Sequence, residues 1–213
     1  MAVLMSSYYE HLFRRIPNDV VKYIGYGCSM GDKAYAQMVE SEPRLFNSRY
    51  IYGLRSRLHD KAIQMYLEDR MSKNSAVTVS CMNTGYGNRV LLISGNGYSI
   101  NPCHIAKEDT LPYPAKYKRK AAANNPGESD SQLNLLVPPV AKDYYSIYFI
   151  LTTFFDGSST RARLIIPDNK FSCILDSMPI FSVIQSEEEV IYQERKLPKL
   201  ISEVEKEDEH QSR

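Results

Sequence analysis

Between Asn83 and Pro102 the chain reads NTGYGNRVLLISGNGYSINP, two short β-capable runs joined by a Gly95-Asn96-Gly97 turn. From Tyr144 to Asp168 a second stretch, YYSIYFILTTFFDGSSTRARLIIPD, repeats the plan around Asp156-Gly157. Two hairpins make an antiparallel sheet, and FSCIL, which follows them, supplies a further strand. A chain with this pattern must cover at least one apolar sheet face.

The first seventy or so residues provide the cover. A helix is expected from a cap at Ser6 or Ser7 to Ile16, where Pro17-Asn18 breaks it, and Asn18 then caps a short helix, DVVKYI. The glycine-rich GYGCSMG reads as a turn into a third helix, Asp32 to Glu40, which Pro43 closes. From Ser48 to Met71, Ile51, Leu54, Leu58, Ala62, Met65 and Met71 follow three-and-four steps, the mark of a long amphipathic helix. Helix gives way to strand near residue 75.

Helices first and strands afterwards predict an α+β fold, with an N-terminal helical unit (1–74) packed on an antiparallel sheet built from two β-hairpins (75–197). A polar acidic tail (198–213) follows, and the whole is expected to form one compact domain. Residues 107–143 hold five of the eleven prolines and no sustained period, so they read as a long loop suited to function or as a partly disordered insert.

The chain has 213 residues, and its 26 basic and 25 acidic side chains nearly cancel, so no global charge argues for a polyanion or a membrane as partner. The charges are unevenly placed: from Ser186 to Arg213 nine acids face five bases, a net −4 that leaves +5 on the rest. Four cysteines at 28, 81, 103 and 173 form no C-x-x-C pair. Without a secretory leader or an apolar stretch long enough to span a bilayer, they read as reduced, mostly buried thiols of a cytoplasmic protein.

Most motif-like patterns fail on their own chemistry. Gly85-Tyr86-Gly87 has Val90 where a dinucleotide fingerprint needs glycine, and a strand follows where a helix is required. GYGCSMGDK places Asp32 where a phosphate loop needs lysine. His11, His59, His104 and His210 form no nucleophile–base pair with a sequence neighbour, and the chain lacks H-E-x-x-H, paired Cys/His spacing and G-x-S-x-G. These histidines read as ordinary polar or half-buried residues.

Two patterns remain. The basic run Lys116, Lys118, Arg119, Lys120 is interleaved with Tyr113 and Tyr117, and basic and aromatic residues alternate through Arg49, Tyr50, Tyr52, Arg55 and Arg57. Cations meet phosphates and a tyrosine face stacks on an unpaired base, so both stretches suit nucleic-acid contact, while a solvated loop and helix face would account for them equally. Pro167-Asp168 followed by Glu194-Arg195-Lys196 resembles the PD…(D/E)xK signature of metal-dependent nucleases. That resemblance implies Mg²⁺ held by Asp168 and Glu194, with Lys196 positioning the attacking water.

The leading expectation is a non-enzymatic binding or regulatory module, without cofactor or metal, contacting nucleic acid or a protein through the basic, Tyr-containing loop and the Arg49–Arg57 face. The alternatives are a Mg-dependent nuclease or phosphodiesterase and a protein-interaction module with no nucleic-acid role.

Overall fold

A computed structural model describes residues 9–84, 89–127, 145–156 and 160–180, all within one compact unit. The short helix α1 (Glu10–Phe13) leads into α2 (Asn18–Ser41), followed by α3 (Pro43–Phe46), a single 3₁₀ turn (Tyr52–Leu54) and α4 (Arg55–Met71). Then come β1 (Thr78–Asn83), β2 (Arg89–Gly95), β3 (Tyr98–His104), α5 (Lys116–Ala122), β4 (Ile147–Phe155), β5 (Thr160–Pro167) and β6 (Ile174–Ile180). The fold is α+β, and no helix among the described residues is long and apolar enough to cross a membrane.

The glycine-rich segment does not turn. It runs through the middle of one 24-residue helix, and no break separates DVVKYI from the segment after Asp32. Val20, Ile24, Gly27, Cys28, Gly31 and Tyr35 are buried at three-and-four spacing, so the glycines are members of the apolar stripe. A β-carbon on Gly27 would lie 2.5 Å from Leu67 Cδ2, and one on Gly31 would lie 2.6 Å from Ile63 Cα. Each glycine costs about 1 kcal/mol of helix propensity, and what it gains is backbone-close contact with α4. On α4 the buried face is His59, Ala62, Ile63, Leu67 and Met71, rotated from the expected stripe so that Met65 faces solvent.

The six strands form one sheet in sequential order. The strands of the two expected hairpins pair antiparallel, β2 with β3 and β4 with β5, with residues 157–159 of the second turn outside the described part, but β3 and β4 pair in parallel, from Tyr98↔Ile147 to His104↔Thr153. The sheet is therefore mixed rather than wholly antiparallel. The reason is the long crossover, which includes α5 and returns the chain to the start of β4 in the direction of β3; an antiparallel neighbour needs only a tight turn. The loop expected at 107–143 thus contains a helix, and residues 128–143 lie outside the described part.

On one sheet face Leu91, Ile93, Ile100, Ile147, Phe149, Leu151, Leu164 and Ile166 pack against Leu12, Phe13, Val20, Ile24, Ile63 and Leu67 from the helices. On the other face a smaller cluster of Tyr148, Ile150, Ile165 and Phe171 is capped by Ala122 of α5. Two prolines interrupt the ladders, and two buried asparagines repair them. Continued from Ile93↔Ile100, the β2–β3 register sets Pro102 opposite Leu91; proline has no N–H to give, and Asn101 Nδ2 donates to the Leu91 carbonyl instead at 2.8 Å. The β4–β5 register likewise sets Pro167 opposite Tyr148. There Asn125 Nδ2 donates to the carbonyls of both Tyr148 (2.9 Å) and Pro167 (2.8 Å), while its Oδ1 accepts from Tyr148 N–H (2.8 Å).

Gly31→Ala and Gly27→Ala separate the two kinds of close contact. The first meets backbone and is expected to destabilise by about 1–3 kcal/mol in urea unfolding despite its helix-propensity gain. The second meets the movable end of Leu67 and should fall within about 1 kcal/mol of wild type. Equal effects would show that the α2–α4 approach is not limited by backbone contact.

Candidate functional site

Where α2, α4 and β5 meet, three polar side chains converge in an apolar setting. His59 is fully buried, its Nε2 2.6 Å from Asp32 Oδ1. The Thr160 hydroxyl donates to the same oxygen at 2.5 Å and lies 3.0 Å from His59 Nε2, while Thr160 N–H reaches Asp32 Oδ2 at 3.3 Å. The His59 ring stacks on Phe155 (4.4 Å between centroids) and receives the edge of Tyr35 (5.1 Å). Although this is a hydroxyl, an imidazole and a carboxylate, it is not a nucleophile relay. Aspartate and threonine meet the same ring nitrogen, and the buried Nδ1 has no hydrogen-bond partner among the described residues. The cluster is a polar lock between three elements.

The lock continues outward. Tyr35 also packs edge-on against Phe46 (5.8 Å), which is buried at the end of α3, and the Arg55 guanidinium donates to the Phe46 carbonyl. The connection from α2 to α4 is held from beneath, and its outer side carries exposed residues. Tyr50 is 78% exposed and Tyr52 74%, with Leu45 and Leu54 exposed in the same segment. Arg49 lies over the Tyr50 ring at 5.2 Å and Arg55 over the Tyr52 ring at 5.4 Å. Between Pro43 and His59 there are four arginines, at 44, 49, 55 and 57, and neither Asp nor Glu. Positive charge and exposed aromatic side chains therefore sit together on a connection fixed at both ends.

Of the residues singled out in the sequence, Arg49 and Arg57 are exposed here, while Arg55 is half-buried and tied to Phe46. The sequence pattern missed Arg44, Leu45 and Leu54; the stretch without acids between Pro43 and His59 was the signal that could have found them.

The second expected stretch divides. Tyr113 is 85% exposed, and Lys116, Arg119 and Lys120 are exposed around α5. Lys118 is only 5% exposed: its Nζ lies 3.0 Å from Cys103 Sγ and donates to the Tyr113 carbonyl at 3.3 Å. Tyr117 turns inward too, its hydroxyl donating to Asn101 Oδ1 (3.4 Å), which also accepts from Tyr148 (3.2 Å). Burial holds both phenols far above the ordinary tyrosine range. The loop ahead of α5 is moored to β5 by Arg161 with Glu108 (2.7 Å) and by Arg163 with Asp109.

Asp168 organises a turn. Its carboxylate accepts from Ser172 N–H (2.5 Å), Cys173 N–H (2.9 Å), Ser172 Oγ (2.8 Å) and Lys170 N–H (3.3 Å). Glu194 and Lys196 lie outside the described residues. Among the described residues no three His, Cys, Asp or Glu side chains come together as a metal site. None of the four cysteines is joined in a disulfide. Cys28 is buried, with a pKa pushed up to about 12 by desolvation and then by Asp32 and Asp60, whereas Cys81 is exposed and Cys103 and Cys173 half-buried.

Burial works to raise the Asp168 pKa, but the bonds from Cys173, Ser172 and Lys170 outweigh it and hold the carboxyl below the ordinary aspartate range. A depressed folded-state pKa gives stability that is present above the unfolded value and lost as pH falls through the folded one. Asp168→Asn is therefore expected to flatten the acid limb of the stability–pH curve. Asp32→Ala, which leaves buried His59 without its acceptor, is expected to cost about 1–3 kcal/mol in urea unfolding. No family model, curated protein or solved structure matches the chain.

Proposed function

We propose that the protein is a binding module for single-stranded nucleic acid, engaging it through the α2–α4 connection. The observation that carries this reading is the pair of exposed tyrosines, Tyr50 and Tyr52, each accompanied by an arginine, on a segment with four arginines and no acid. Phosphates attract the guanidinium groups, and unpaired bases of any sequence stack on tyrosine faces, so the contact is sequence-tolerant and salt-sensitive. Rigidity helps: Phe46 and the Asp32–His59–Thr160 lock fix the segment before binding, which lowers the entropy lost on association.

Tyr113, Lys116, Arg119 and Lys120 form a second exposed basic and aromatic group on the α5 side, available to the same kind of ligand. Lys118 and Tyr117 have interior roles and are not assigned to it. The nuclease reading ranks lower because the Asp168 carboxylate is already engaged by four donors of its own turn.

Labelled single-stranded DNA and RNA should bind with an affinity that falls as salt rises. Tyr50→Ala and Tyr52→Ala should each weaken binding by about 1–3 kcal/mol with the unfolding midpoint unchanged. Arg57→Ala should lower the salt slope by about one charge. Failure to bind either strand type at low salt would overturn the reading and point to a protein partner on the same surface, while Mg²⁺-dependent cleavage would revive the nuclease.

A further inference from the structure

The half-buried Cys103 on β3 has an unusual neighbour. Lys118 of α5 is almost wholly buried and sets its Nζ 3.0 Å from Cys103 Sγ. The amine is held from its other side by the Tyr113 carbonyl at 3.3 Å and lies 5.9 Å from the centre of the Tyr117 ring. The Sγ also lies 3.7 Å from the His104 carbonyl, an S–H donor contact. Lysine seldom surrenders its hydration without an ionised partner, and no carboxylate is bonded to this one among the described residues. The side chain bonded to it is a thiol, with the Asp60 carboxylate near enough to act on it through its charge.

We propose that Cys103 and Lys118 form a redox modification site, at which a peroxide oxidises the sulfur and the lysine amine captures it as a covalent nitrogen–sulfur link. In the first step sulfur gives two electrons to the peroxide. An S–O bond forms as the O–O bond breaks, and water leaves behind a sulfenic acid. Lys118 then releases its ammonium proton to solvent, and the free amine attacks the sulfenyl sulfur. The N–S bond forms, the S–O bond breaks, and the hydroxyl departs as water with a proton from the amine. Thiol, amine and one peroxide become a sulfenamide and two molecules of water.

Position favours capture over further oxidation, because the amine is already in contact with the sulfur while a second peroxide must diffuse in. Burial pushes the Cys103 thiol up and the Lys118 charge draws it down, so the resting sulfur is the thiol and the oxidation is slower than at an activated cysteine. Of the other thiols, Cys28 is buried and Cys81 has the Glu68 carboxylate as its bonded neighbour at 3.7 Å, whereas Cys103 has the Lys118 amine. Linkage would remove the Lys118 charge and fasten α5 to β3.

The full chain, treated with hydrogen peroxide, alkylated and digested without reductant, tests this by mass spectrometry. The expected product joins the peptides containing Cys103 and Lys118, with a mass two hydrogens below their sum, and separates on addition of a thiol. Cys103 recovered as sulfinic acid, or unmodified while Cys81 is oxidised, would overturn the proposal; a link that retains oxygen would overturn the condensation step. Lys118→Arg, with its fold checked by circular dichroism, should lose the link and leave a sulfenic acid that dimedone traps. The wild-type mass decides the matter even if that variant does not fold.

Discussion

The close approach of α2 and α4 at Gly27 and Gly31 is the contact on which the rest is arranged. A β-carbon at Gly31 would lie 2.5 Å from Ile63 Cγ1 and 2.6 Å from the Ile63 Cα, so the two backbones come close only because residue 31 has no side chain. That depth brings Asp32, one residue beyond Gly31, within 2.6 Å of His59, one helical turn before Ile63. Thr160 closes the group from the sheet, and Tyr35, Phe155 and Phe46 carry the packing to the surface. The segment joining the two helices is consequently fixed at both ends, with Tyr50, Tyr52, Arg49 and Arg57 exposed on it. Small residues at one helix contact thus determine how a surface tens of atoms away is presented.

The second organising device is the replacement of ladder bonds by asparagine. Pro102 and Pro167 each remove a donor from the sheet, and Asn101 and Asn125 restore bonds to the carbonyls left over. Both asparagines serve the face covered by α5. Asn101 also accepts from Tyr117 and Tyr148, so the repair of the sheet and the seating of the α5 segment share one side chain. Lys118 and Cys103 are brought together beside this network.

Much of the strand pattern was legible because alternation and turn residues are local. Asn83–Pro102 and Tyr144–Asp168 announced their antiparallel strand pairs, whereas FSCIL overlaps only the start of the sixth strand, Ile174–Ile180. The parallel β3–β4 pairing was not legible, since it depends on where a long crossover returns and not on either strand's own sequence. GYGCSMG misled for a different reason: glycine is both a turn former and the smallest residue of a packed helix face. Only its spacing with Val20, Ile24, Cys28 and Tyr35 distinguishes the two uses. The site was half visible. Arginine and tyrosine between 49 and 57 could be read directly, whereas the run around Lys118 looked like one basic surface. Its division into exposed Lys116, Arg119 and Lys120 and inward Lys118 follows from which face of α5 meets the sheet, a tertiary fact.

In the proposed binding mode a single strand lies across Tyr50 and Tyr52. Photo-crosslinking a halogenated single-stranded oligonucleotide to the protein, with peptide mapping of the adducts, tests it directly. Adducts concentrated between Arg44 and Arg57, lost on addition of excess unlabelled strand, are the predicted result. Adducts confined to other segments, or none at a concentration where the strand is retained, would contradict it.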